Sequence, residues 1–128
     1  MRNIPDVALT ADNVWVISEN GKATNTGGTS AAAPLWAGFT ALVNQQAANQ
    51  GLSSVGFLNP ALYAIGSGGH YHSDFHDITP PSDTTLPSNN DEIGINGGAY
   101  PITSSYDMAT GWGSFNAAKL AADLVALG

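Results

Sequence analysis

The chain has 128 residues, 43% of them hydrophobic and 10% charged, which suits one globular domain with a single core and excludes a disordered chain. Ten acidic residues against three basic ones, Arg2, Lys22 and Lys119, give a net charge of -7, so no nucleic-acid partner is expected, since a phosphate backbone needs clustered Lys and Arg. Cysteine is absent, which excludes disulfides and thiolate metal sites, and no apolar run is long enough to span a bilayer, so no membrane partner is expected either.

The segment from Arg2 to Asp12 holds Val7-Ala8-Leu9 between Pro5 and Asp12-Asn13 and predicts a short buried strand. No signal-peptide pattern is read in the first residues, which include Asn3, Pro5 and Asp6. Val14-Trp15-Val16-Ile17 and Ala23-Thr24-Asn25-Thr26 flank Asn20-Gly21, a hairpin turn signal. The hairpin leads into Gly27-Gly28-Thr29-Ser30, after which Ala31-Ala32-Ala33-Pro34 opens a helix running to about Asn49, with Gly51 as its stop. Pro34 is expected within the first turn, where a missing N–H costs little. Leu35, Phe39, Leu42 and Val43 share a face, and the helix is expected to be buried on more than one side. Asn59 as cap and Pro60 as first helical residue open a second helix through Leu62 and Ile65, ended by Gly66. Ser67 to His70 reads as a glycine-rich loop and Thr79 to Tyr100 as a long irregular surface loop. Asn116 caps a last helix with Leu120, Leu124 and Leu127 at helical spacing.

Ser30 stands between a glycine turn and a helix start. There a serine is either an ordinary N-cap or a nucleophile placed where the helix dipole and the free N–H groups of the first turn favour developing negative charge. Asp77 and Asp107 lie in loop-like sequence and read first as caps or turn residues, although loop carboxylates with neighbouring carbonyls also make calcium sites. Asn89-Asn90-Asp91-Glu92 lacks the spacing of an EF-hand loop and reads as a solvated turn. His70, His72 and His76 form an apparent cluster, the first two on one side if the segment is a strand. A structural zinc site usually needs four ligands with supporting hydrogen bonds, so zinc is not expected there.

The run Gly27-Gly28-Thr29-Ser30-Ala31-Ala32-Ala33-Pro34-Leu35-Trp36-Ala37-Gly38 resembles the nucleophile segment of the sedolisins, the serine-carboxyl peptidases. Val55-Gly56-Phe57-Leu58-Asn59-Pro60-Ala61-Leu62-Tyr63, Phe75-His76-Asp77-Ile78-Thr79 and Tyr106-Asp107-Met108-Ala109-Thr110-Gly111-Trp112-Gly113-Ser114 continue the resemblance in the family's order, across nearly the whole chain. It implies an α/β, partial subtilisin-like fold: residues 1–128 as the C-terminal half of a parallel-sheet, helix-flanked catalytic domain with a calcium-binding loop region. Ser30 becomes the catalytic nucleophile. Asp77 and Asp107 become side-chain calcium ligands, joined by the carbonyls of Ile78, Thr103 and Ser105. Many relatives carry glycine where Thr103 and Ser105 stand, which points to a positive φ that these residues tolerate poorly.

The family's base is a glutamate supported by an aspartate, and a second, protonated aspartate assists at the oxyanion; near pH 4 a carboxylate with a pKa of about 4 still accepts a proton, where histidine does not. All three lie upstream of the nucleophile segment in the family, so Asp6 is read as structural or capping and the chain alone as inactive. Asp12, Glu19 and Asp74 are the acids present that a substitute base would have to come from. The resemblance thus implies a fragment of an acid-acting, extracellular or extracytoplasmic endopeptidase, with polypeptide as substrate and the N-terminal half of the domain as partner, unless self-association satisfies the open strand edges. Scarce Lys and Arg are compatible with acid tolerance. The competing reading is a non-catalytic, calcium-stabilised structural or interaction module. A split subtilisin-like peptidase would instead need a histidine base and predicts neutral to alkaline activity.

Overall fold

The Asn20-Gly21 signal produces a hairpin. In the computed structural model, which describes residues 4–79 and 100–128, β1 (Val14–Ser18) pairs antiparallel with β2 (Lys22–Thr26), from Val14 opposite Thr26 to Ser18 opposite Lys22. Glu19, Asn20 and Gly21 turn the chain with φ of 43°, 62° and 95°. Val14 and Val16 are half-buried, while Trp15 and Ile17 on the other face are 68% and 70% exposed. A strand apolar on both faces is the pattern of one covered on both sides, yet the described chain covers this one incompletely.

Val7-Ala8-Leu9 does not form the expected buried strand. It is half-buried, without regular secondary structure, and held to the 112–113 segment by two hydrogen bonds, Trp112 N–H to the Asp6 carbonyl (3.0 Å) and Ala8 N–H to the Gly113 carbonyl (2.9 Å). Gly111, at φ 62°, lies so close to the Asp6 carbonyl that a Cβ would collide with it.

Helix α1 (Thr29–Asn49) has the expected extent, and Gly51 at φ 73° follows its end. Its burial corrects the sequence reading. Phe39, Val43 and Ala47, at i, i+4 and i+8, form one buried stripe, whereas Leu35 is exposed and Leu42 is 65% exposed. Pro34 is the sixth helical residue, beyond the first turn, so the Ser30 carbonyl lacks the N–H that a fourth residue on would normally donate.

Helix α2 (Asn59–Gly66) begins after Leu58, with Pro60 second and Gly66 last rather than beyond the end. Asn59 is not its cap, because it is already the first helical residue and makes no capping bond; its side-chain amide donates to Asp6 Oδ2 at 2.8 Å. A one-turn helix, α3 (Tyr71–Asp74), follows the glycine-rich loop and runs into β3 (Phe75–His76), which pairs antiparallel with β4 (Ser114–Phe115). Helix α4 (Ala117–Leu127) buries Leu120, Leu124 and Val125 but leaves Leu127 exposed; Asn116 precedes it without a side-chain capping bond. Among the described residues strands pair only antiparallel, so these residues do not form the expected parallel sheet, and both two-stranded sheets leave their outer edges unpaired. The loop expected over Thr79 to Tyr100 lies outside the described residues except at its two ends, and the Asn89-Asn90-Asp91-Glu92 turn wholly so.

One core joins Phe39, Val43 and Ala47 of α1 to Leu62 and Ile65 of α2 and to Leu120, Leu124 and Val125 of α4. Phe39 stacks on Phe115 with ring centroids 4.3 Å apart, and Trp112 packs among Tyr63, Tyr71 and Tyr106 at 5.8, 5.6 and 5.1 Å. Leu120→Ala is expected to cost about 2–5 kcal/mol, whereas Leu42→Ala on the exposed face changes stability by no more than about 0.5 kcal/mol. Urea-unfolding midpoints of the three chains check that order.

Candidate functional site

Gly28 sets the entry to α1. Its φ of 106° and ψ of 164° lie in a region that only glycine occupies without strain, and its N–H donates to the Ala11 carbonyl at 2.6 Å. Ser30 is therefore the second helical residue, exposed, and not a cap, since no side chain caps α1. It opens onto a cleft of about 610 Å³ between β1 and the start of α1, lined also by Trp15, Ile17, Gly27, Pro34 and Leu35. The first N–H groups of a helix have no intrahelical acceptor, and with the dipole they favour a negative oxygen there.

No side chain among the described residues hydrogen-bonds the Ser30 hydroxyl, and none of the three acids weighed as a substitute base engages it. Asp12 accepts from the Asn13 N–H at 2.8 Å, Glu19 pairs with Lys22 at 3.3 Å, and Asp74 is buried beside α4, where its backbone carbonyl accepts from Asn116 N–H at 2.7 Å. A serine without a base is a weak nucleophile.

The loops after β3 and before Gly111 converge. Asp77 Oδ2 accepts from the Ser105 N–H at 2.8 Å and more weakly from the Ser104 hydroxyl at 3.5 Å, while Asp77 Oδ1 is buried and has no hydrogen-bond partner. Buried Asp107 accepts from the N–H groups of Ala109 (2.9 Å) and Thr110 (2.7 Å) on Oδ1 and of Thr103 (3.1 Å) on Oδ2, and the Thr110 hydroxyl reaches both oxygens. Ser105 has φ 70°, the positive value that glycine at this place in relatives suggests, whereas Thr103 does not. The buried Asp77 Oδ1 fits a hard cation, although the buried Tyr71 hydroxyl interacts with the same carboxylate and competes for it. Asp107 fits less well, because its acceptor sites are already taken by loop donors. Thr103 and Ser105 present N–H groups to these carboxylates, and half-buried Ile78 follows Asp77 directly. The buried Tyr71 phenol is pushed up, by burial first and then by the Asp77 carboxylate.

Asp6 is structural, as read. Its carboxylate accepts from Asn59 and from the Tyr63 hydroxyl at 2.9 Å, tying the first segment to α2. The histidines do not gather. His72 and His76 are exposed, and residues 71–74 are helical, which removes the strand geometry. His70 instead meets Asp123 of α4, Nδ1 to Oδ2 at 2.6 Å, with Asp74 close by. Its partner is 53 positions away, on a helix whose polar residues carry no motif, so spacing gave no signal for this contact.

No protein-family model matches the chain. It is similar over 115 residues to tripeptidyl-peptidase sed1 of Aspergillus fumigatus, at 40% identity covering 90% of this chain and 15% of that protein. Tripeptidyl-peptidase 1 of Bos taurus is 33% identical over 115 residues, 90% of this chain and 19% of that protein. Kumamolisin of a Bacillus species is 36% identical over 115 residues, 88% of this chain and 18% of that protein. The chain thus spans less than a fifth of the length of these curated relatives.

Asp107→Ala leaves the buried Thr110 N–H and its loop neighbours without an acceptor, and is expected to cost at least about 1–3 kcal/mol even with chelator present. Asp77→Ala, which loses one exposed N–H contact and an orphaned oxygen, costs less under the same conditions. Thermal unfolding of both variants in EDTA checks this difference.

Proposed function

The chain belongs to the sedolisin family, and from that premise we propose that it is the nucleophile-bearing part of a serine-carboxyl endopeptidase acting on polypeptides in acid. The observation that carries the proposal is Ser30 itself: an exposed hydroxyl in the uncapped first turn of α1, opening on an apolar cleft. Its oxygen attacks the substrate carbonyl. The first-turn N–H groups and the helix dipole favour the negative oxygen that forms, and the proton passes to a carboxylate outside these 128 residues. A base with a carboxylate pKa keeps this step running in acid. The setting proposed is extracellular or extracytoplasmic; no helix among the described residues is long and apolar enough to cross a membrane.

The N-terminal half of the catalytic domain is the proposed partner. Trp15, Ile17, Leu35 and Leu42 are large apolar side chains exposed on β1 and α1, more than a folded surface usually leaves together. A second apolar cleft of about 540 Å³, beside Val7, Leu9, Ala33 and Trp36, adds to the uncovered area. Calcium is proposed at Asp77 and Asp107 with the carbonyls of Ile78, Thr103 and Ser105. Bound there, the ion would fasten two loops and take no part in proton transfer.

The second reading, a calcium-stabilised module without catalysis, rests on the missing base beside Ser30. A fluorophosphonate probe separates the two. Alone, the chain is expected to label negligibly; mixed with the N-terminal half of a kumamolisin-type catalytic domain, it is expected to label at Ser30 and to cleave peptides at about pH 4. Both gains are expected to vanish in Ser30→Ala, and labelling that ignores this substitution overturns the proposal. Calcium at a hundredfold excess over its Kd is expected to stabilise the chain by about 2.7 kcal/mol, with EDTA or Asp77→Asn abolishing the rise in Tm.

A further inference from the structure

A separate cluster lies between α3 and α4, independent of the peptidase reading. His70 precedes α3, Asp74 ends it and Asp123 lies on α4; one ligand atom from each sits within 4.8 Å of the other two. His70 Nδ1 and Asp123 Oδ2 are 2.6 Å apart. Asp74 carries the argument. It is 1% exposed, its Oδ2 accepts from the Ser73 hydroxyl at 3.0 Å, and its Oδ1 is buried without a hydrogen-bond partner. An ionised carboxylate buried with an idle oxygen is costly unless a cation or a proton meets it.

The backbone holds these arms in place. Asp74 N–H donates to the His70 carbonyl at 3.0 Å, and the Asp74 carbonyl accepts from Asn116 N–H at 2.7 Å, just before α4. A cavity of about 300 Å³, lined by Ala64, Gly68, Gly69, His70, Asp123 and Ala126, opens beside the pair and leaves room for water. The imidazole is exposed, and the three ligand atoms already lie within 4.8 Å of one another. With ligand bonds of about 2.0–2.2 Å in a tetrahedral site, neighbouring ligand atoms stand roughly 3.3 Å apart.

We propose that His70, Asp74 and Asp123 form a binding site for a divalent transition-metal ion of the zinc class, with water completing the coordination. An imidazole with two carboxylates suits such an ion, whereas calcium draws on oxygen alone. The two carboxylate charges balance the ion, and the idle Asp74 oxygen gains a partner. Burial and the neighbouring Asp123 carboxylate raise the Asp74 pKa, and the Asp123 hydrogen bond raises that of His70, so protons compete with a metal ion for these ligands. The site uses one histidine of the three in the sequence cluster and takes its other ligands from elsewhere.

The test is titration of the chelator-stripped 128-residue chain with zinc, and with cobalt for its visible absorption, near neutral pH. One equivalent is expected to bind and to raise Tm, and His70→Ala and Asp123→Asn, both outside the core, are each expected to weaken binding at least tenfold. Asp74→Asn is expected to do the same if it folds, and His72→Ala to leave binding unchanged. The proposal is overturned by the absence of stoichiometric binding, by binding that survives His70→Ala with Asp123→Asn, by loss of binding in His72→Ala, or by an equal response to calcium through the same residues.

Discussion

The burial of Phe39, Val43 and Ala47 of α1 in one core with Leu120, Leu124 and Val125 of α4 is the constraint from which the other positions follow. It fixes the long helix by its second half, because the buried stripe begins ten residues after Thr29 and reaches Ala47, close to the end at Asn49. Further contacts hold the two ends. At the C-terminal end Gln50 and Gly51 return N–H groups to the last turn. The N-terminal end has no apolar anchor of its own before Trp36, whose indole N–H donates to the Ala8 carbonyl at 3.1 Å.

That division explains how a serine is exposed yet positioned. Gly28 is tied to Ala11, Trp36 to Ala8, and the same segment is tied through Asp6 to α2 and to Trp112. A short stretch with little secondary structure thus links α1, α2 and the Trp112 loop. Main-chain carbonyls make most of these contacts, so side-chain replacements in residues 8–11 need not disturb them.

Local signals in the sequence were legible where one turn or one helix stop decides the outcome. Asn20-Gly21 specified the hairpin, and Gly51 the end of α1, because a positive φ has few residue choices. The motifs around Ser30 and Trp112 identified the family, which similarity to the peptidases bears out. Burial was less legible. Leu35 and Leu42 look like core residues by type, but no described residue covers them, and both are exposed. Asn59 looks like a cap, but the helix already includes it, and its amide instead ties α2 to Asp6, 53 positions earlier. The meeting of His70 with Asp123 depends on how α3 packs on α4, which no local pattern encodes.

Pro34 gives the first turns of α1 a mechanical character that the rest of the helix lacks. With no N–H at residue 34, the Ser30 carbonyl lacks its i+4 donor, and the turn that carries the serine has one hydrogen-bonded rung fewer than the turns around Phe39, Val43 and Ala47. Bending α1 at this missing rung therefore costs less than bending it where the core grips the helix.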